Sequence, residues 1–262
     1  CDMDILVSSP GSPGTNFTEN VKEQILLISD ELDKNDDFAS LMELKKHLEN
    51  CGLNQNYARN ILPFLQNCGI VKYDNIDTFK NSEIVTNIGR AYVDVLKSIK
   101  IARNEEKSEI RDDILEMLDK IQQTIYFQCL TIMMKNPDCN YGIDFFDVLR
   151  FVDIYGYIDL TEYMLILYER EKNGSDYLHD LQDVVKKYRN KEIEIHVKTK
   201  TKNAMEGDGK SKSVNSFPYV TGNFCKSGIM KKIDGKFYFE ENRIKEIENA
   251  IEEVAKCRNL VR

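Results

Sequence analysis

SFPYVTGNFCKSGIMKKIDGKFYF, running from Ser216 to Phe239, decides the fold. A short helix-like segment, 216–226, leads into two alternating runs, Ile229–Ile233 and Phe237–Phe239, separated by Asp234-Gly235. Both central positions of such a two-residue turn need positive φ, which Gly adopts freely and Asp tolerates, so the dipeptide predicts a tight β-hairpin. A helix followed by a basic hairpin is how a winged helix reads in sequence, with the hairpin as the wing. Lys226, Lys231, Lys232 and Lys236 stand where a wing would run along a phosphate backbone. On the helix, Tyr219, Asn223 and Lys226 are expected to face outward, and Phe217, Val220 and Phe224 inward.

The same layout is legible nearer the start. From Asn20 to Leu96 come three amphipathic segments, then GIVKY, a polar connection, and EIVTNIGRAYVDVL. In the first segment Val21, Ile25, Ile28 and Leu32 recur at helical spacing, and Asn20 with Glu23 makes a capping-box pattern. Ser40 with Glu43 opens the second, which stops near Gly52. The third, Asn54 to Cys68, has Tyr57, Ala58, Ile61 and Leu65 on one face and Gln55, Asn56, Arg59 and Asn60 on the other. Asn and Gln pair with adenine through two hydrogen bonds and Arg pairs likewise with guanine, so this outward face has the chemistry of a recognition helix. A solvated polar face is the competing reading. Pro63, which lacks a backbone donor, is expected to kink or divide the segment.

The expected architecture is mainly α (α+β): two winged-helix domains with small β-hairpin wings joined by a helical connector. The boundaries follow composition: an N-terminal arm at 1–17, a first domain at 18–100, the connector at 101–142 and a second domain at 143–262. In the connector, Ile110, Ile114, Met117, Leu118, Ile121, Ile125 and Leu130 trace one face of a long helix, opposite a solvated face of Glu109, Asp112, Asp113 and Glu116. Residues 143–154 read as a further helix ending near Gly156. Asp159 and Glu162 cap another that runs to about Lys172, and a last helix spans 177–188. KTKTKNAMEGDGKSKS, 198–213, has no apolar period and reads as an exposed loop, in which Lys198, Lys200, Lys202, Lys210 and Lys212 suit a phosphate-contacting arm.

With 262 residues and 42% hydrophobic content the chain is long enough for more than one core. A formal net charge of −8 argues against indiscriminate nucleic-acid binding. Charge is unevenly distributed, however: residues 191–236 hold ten lysines against five acids, a local excess of five. Seven cysteines without a CxxC pair fit a reducing cytoplasm. Cys51 and Cys68 read as small core residues, with no neighbouring His to activate a thiol, and His47, His179 and His196 lack metal-ligand spacing, so no metal is expected. No apolar run reaches bilayer length and no signal-peptide pattern opens the chain, which points to a soluble protein. The chain begins with Cys1 rather than Met, as a processed or excised piece, or one with added terminal residues, would.

The order of features resembles the DNA-recognition portions of type IIS restriction endonucleases, the AlwI-like group. The resemblance rests on SSPGSPGTNFTENV, IVTNIGRAYVDVL, IDLTEYMLILYE and FPYVTGNFCKSGIMKKIDGKFYFEENRIKEIENAI. It implies sequence-specific recognition of double-stranded DNA, coupled in a full-length bacterial type II site-specific deoxyribonuclease to a magnesium-dependent nuclease domain. That chemistry needs PD followed at a distance by (D/E)xK. Pro137-Asp138 is present, but in the strand-like run Glu192, Glu194, His196, Lys198 it is His196 that stands where the acid belongs. Asp138 reads instead as a turn former. The expectation is therefore a non-catalytic chain without cofactor, Mg2+ entering only with an attached nuclease domain, and DNA binding as a monomer. A dimeric winged-helix transcription regulator and a protein-interaction scaffold are the alternatives.

Overall fold

The computed structural model describes residues 1–8, 10–34, 37–38, 40–53, 55–72, 79–80, 84–174, 176–200 and 216–260, with the side chains of 37, 55–58, 79–80 and 200 excepted. The chain is mainly helical with small sheets. In chain order its elements are β1 (Asp2–Ser8), α1 (Glu19–Lys34), β2 (Asp37–Phe38), α2 (Leu41–Asn50), α3 (Gln55–Asn67), β3 (Phe79–Lys80), α4 (Asn87–Asn104), α5 (Glu109–Lys135), α6 (Gly142–Tyr155), β4 (Tyr157–Ile158), α7 (Leu160–Lys172), α8 (Gln182–Arg189), β5 (Glu194–Lys200), α9 (Ser216–Lys226), β6 (Met230–Ile233), β7 (Lys236–Phe239) and α10 (Ile244–Arg258). They form two compact units: a first of residues 13–139 with 226–228, and a second of residues 1–12, 140–225 and 229–262.

In the first unit, α1 buries Val21, Ile25, Ile28 and Leu32, as their spacing predicts. Its cap is not Asn20. Thr18 Oγ1 accepts from Val21 N at 3.1 Å, so the helix starts earlier and Asn20 lies inside it. Ser40 does cap α2, accepting from Glu43 N at 3.2 Å. Helix α3 runs through Pro63 undivided, because Ile61, Leu62, Phe64 and Leu65 are all buried around an exposed proline and hold both halves in place. β2 pairs antiparallel with β3, and Val71 bridges Val85. Thr86 caps α4, accepting from Gly89 N at 3.0 Å and donating to Ile70 O at 3.1 Å. Phe17 fills the core, its ring centroid 5.5 Å from Phe64, 5.4 Å from Tyr92 and 4.4 Å from Tyr126.

Helix α5 departs from its expected burial. Only its C-terminal half enters the core, through Tyr126, Phe127, Leu130 and Met133. Ile110, Ile114, Met117 and Ile121 are 73%, 44%, 64% and 45% exposed, so the apolar stripe of the N-terminal half faces outward. Amphipathic spacing announces a face but not whether anything covers it.

In the second unit the N-terminal residues are not an arm. β1 pairs in parallel with β5, from Asp2 opposite Glu194 to Ser8 opposite Lys200, and buries Ile5 and Val7. Helix α6 is stopped by Gly156 at φ 90°. The capping box of α7 is complete: Asp159 accepts from Glu162 N at 2.8 Å, and Asp159 N donates to Glu162 Oε1 at 3.1 Å. The expected helix at 177–188 divides into a 3-10 turn at His179–Leu181 and α8. The sheet has the order β4-β7-β6, all antiparallel. Helix α9 precedes its hairpin and α10 follows it.

Candidate nucleic-acid interface

The hairpin turn has the backbone its dipeptide requires, with Asp234 at φ 49° and Gly235 at φ 76°. Side chains alternate across a strand, so register assigns the faces. Ile158, Phe237 and Met230 are buried on the inner face. The cross-strand pairs Tyr157–Tyr238, Lys231–Tyr238 and Ile233–Lys236 lie on the outer one. There the rings of Tyr157 and Tyr238 are 5.2 Å apart and Lys236 Nζ lies 4.9 Å from the Tyr157 centroid. Lys232 has the inner-face register but sits exposed near the tip, its Nζ 5.7 Å from the Phe237 ring.

Arg189 fixes this face from below. Its guanidinium stacks 3.7 Å from the Tyr157 centroid and donates to Tyr155 O at 2.7 Å, Tyr157 O at 2.8 Å and Glu162 Oε2 at 2.7 Å. One planar fork thus holds β4, the start of α7 and an aromatic platform together. Burial pushes the Glu162 carboxyl up, against the pull of Arg189. The result is a basic and aromatic outer face formed by Tyr157, Lys231, Lys236 and Tyr238.

Of the expected contact residues on α9, Lys226 is exposed and Tyr219 half-buried, whereas Asn223 is fully buried. Asn223 stands three residues after Val220, on the buried stripe, and its amide donates to Tyr219 O at 2.8 Å; it is not a surface contact. On α3, Arg59 and Asn60 are exposed, while the side chains of Gln55 and Asn56 lie outside the described residues. Lys198 is exposed on β5 and Lys200 ends that strand, so the expected loop begins later than Lys198. Lys202, Lys210 and Lys212 lie outside the described residues.

Other chemistry is mostly structural. Asp138 is exposed in the turn after α5, its N–H donating to Asn136 Oδ1 at 3.0 Å. Two buried carboxylates on α6 meet two guanidiniums. Arg170 donates to Asp144 at 2.6 Å and to Asp147 at 2.7 Å, and Asp147 also accepts from Arg150 at 2.5 Å and from Tyr177. Burial lifts the Asp144 carboxyl to about 6, outweighing Arg170, and the two carboxylates hold Arg170 firmly charged. Cys68 is buried as expected, but Cys51 is half-buried and has a histidine neighbour after all: His47 Nε2 is 3.6 Å from its Sγ. The Cys51 thiol is pushed up by burial and by Glu31.

Among the described residues no helix is long and apolar enough to cross a membrane. No protein-family model matches the chain, and no curated protein or solved structure gives a significant match.

Proposed function

We propose that the chain reads double-stranded DNA sequence-specifically through two winged-helix modules, as the cytoplasmic target-recognition part of a type IIS restriction endonuclease of the AlwI-like kind. The observation that carries the reading is the outer face of the hairpin, where Lys231, Lys236, Tyr157 and Tyr238 converge beside the helix that precedes it. Element order supports it in both units. In the second unit a strand after the first helix pairs with the far strand of a hairpin, giving the order β4-β7-β6 that a winged helix requires. In the first, β2 after α1 pairs with β3 beyond α3, and Val71 bridges Val85.

In this reading α3 enters a major groove with Arg59 and Asn60 outward, and α9 does so with Tyr219 and Lys226. Lys231 and Lys236 of the hairpin, with Lys198, hold phosphates and fix register. Two different readers in one chain need no palindrome, so a monomer suits an asymmetric site. The hydrolytic metal chemistry belongs to a domain outside residues 1–262.

Selection of bound duplexes from a random pool tests this. Enrichment of one asymmetric sequence supports it, and the absence of any enriched duplex overturns it. One observation favours a second reading, a dimeric regulator: Ile110, Ile114, Met117 and Ile121 follow a four-three-four spacing on the exposed side of α5, a coiled-coil seam suited to a second copy. A palindromic selected sequence bound by a sedimenting dimer would decide for that reading.

A further inference from the structure

Among the described residues, two groups of three metal-ligating side chains come together: Asp2, Glu194 and His196, and Glu31, His47 and Cys51. The first is exposed and has no sulfur, and its imidazole stands 3.7 and 3.8 Å from the two carboxylates, as ordinary surface neighbours do. The second is different in donor set, enclosure and geometry.

Glu31 lies in the last turn of α1, His47 in the last turn of α2, and Cys51 caps that helix four residues on, so His47 and Cys51 share a face. His47 Nε2 is 3.1 Å from Glu31 Oε2, Cys51 Sγ is 3.6 Å from His47 Nε2, and all three donor atoms lie within 4.8 Å of one another. Zinc sits about 2.3 Å from thiolate sulfur and about 2.0 Å from imidazole nitrogen or carboxylate oxygen; at tetrahedral angles these bond lengths separate sulfur from nitrogen by about 3.5 Å and nitrogen from oxygen by about 3.3 Å. Two of the three edges match, and the third, sulfur to carboxylate oxygen, is no longer than 4.8 Å, so closing the triangle on a metal needs that edge to shorten by at most about 1.3 Å.

The surroundings suit a ligand cluster. The Glu31 side chain is 14% exposed and that of His47 32%, and Cys51 is half-buried, so the triangle is only partly open to solvent. The imidazole is held by the Phe38 ring, 5.5 Å away centroid to centroid. Lys34 Nζ lies 3.4 Å from Glu31 Oε1, the carboxylate oxygen other than the one beside His47.

We propose that Glu31, His47 and Cys51 form a tetrahedral zinc-class metal site whose fourth position is open to water. The thiolate and imidazole select a borderline-soft ion over Mg2+ or Ca2+, which take oxygen ligands. Bound there, the metal ties the end of α2 to α1 and so anchors the turn at 51–53 that leads into α3. The inference stands independently of DNA binding.

Cobalt(II) is the probe, added to the reduced chain of residues 1–262 after chelator treatment, with exposed Cys1 and Cys257 replaced by Ser to remove competing thiols. The expected result is one equivalent of Co2+ bound with a thiolate-to-cobalt charge-transfer band in the near ultraviolet and the intense visible bands of a tetrahedral ion, both erased by one equivalent of Zn2+. Cys51→Ser and His47→Gln, each confirmed folded by circular dichroism, should abolish the charge-transfer and the tetrahedral bands respectively. Their loss in both supports the site. A wild-type spectrum with only weak octahedral bands, or a charge-transfer band that survives Cys51→Ser, overturns it.

Discussion

Replacing Lys231 and Lys236 together with Ala isolates what the hairpin's outer face does. Adjacent strand residues point to opposite faces, so Lys231 belongs with Lys236, its neighbour through Tyr238 and Ile233, and not with adjacent Lys232. If each ammonium neutralises one phosphate, its loss removes about 0.9 from the slope of log affinity against log salt, so the pair removes about 1.8. With affinities converging near 1 M salt, the double variant should bind about 60-fold more weakly at about 0.1 M, for matched and scrambled duplexes alike. Fluorescence anisotropy over a salt series measures both quantities. Lys232→Ala, on the other register, is the internal comparison and should move the slope by less than about 0.5. Lys231 and Lys236 are half-buried, so thermal melts must first establish that the hairpin is intact in the double variant. An unchanged slope in the Lys231/Lys236 variant, or the whole change appearing with Lys232 alone, refutes the assignment of the outer face as the phosphate-contacting one.

Arg59→Ala should cost about 1–3 kcal/mol on the preferred duplex and leave scrambled duplexes nearly unaffected; equal loss on both would reassign Arg59 to phosphate contact. Gly89→Ala would place a Cβ 2.2 Å from the Ile70 carbonyl oxygen, so urea denaturation should report a loss of about 3 kcal/mol or more, and a loss below about 1 kcal/mol would mean that the turn at Ile70 yields. Asp144, lifted from 3.8 to about 6, makes a contribution fully present below the lower value and lost as pH rises through the higher. Wild-type stability minus that of Asp144→Asn should therefore fall by up to about 3 kcal/mol between pH 4 and pH 7, and a difference independent of pH would refute the raised carboxyl.

What was legible in the sequence was local. Asp234-Gly235 states its turn because the φ requirement acts on those two residues alone, and Ser40 with Glu43 and Asp159 with Glu162 state their caps for the same reason. Thr18 and Asn20 are two residues of the same capping class within one turn, and their types alone do not say that Thr18 is the cap. Nonlocal pairing was not legible. Nothing in DMDILVS announces a strand partner in EIHVKTK, and nothing near Tyr157 announces Tyr238 or the Arg189 fork. Asn223 is polar, but its spacing from Val220 puts it on the buried stripe, so period and not polarity decides its face. Of the three residues proposed to hold a metal, His47 and Cys51 stand one helical turn apart, a spacing at odds with the reading that gives Cys51 no neighbouring histidine; Glu31 comes from another helix and only the fold supplies it.

Charge placement sharpens the DNA reading. The formal net charge of −8 opposes the approach of any polyanion, so attraction must come from a locally basic face and must act at short range. Register along the β1–β5 ribbon orders its charges: Asp2 opposite Glu194 and Asp4 opposite His196 form an acidic end, and Leu6 opposite Lys198 and Ser8 opposite Lys200 a basic one. The ribbon is thus polar along its length, and its basic end continues into the segment that carries Lys202, Lys210 and Lys212. For the proposed DNA reader this ordering would repel a polyanion from one end and admit it at the other, setting a direction of approach before any base is read. Because the same net charge weakens contacts to phosphate alone, affinity for scrambled duplexes stays low. Under the proposed function, base-edge contacts from Arg59 and its neighbours would then have to supply a large share of the binding free energy on the preferred site, as a reader that must ignore most of a genome requires.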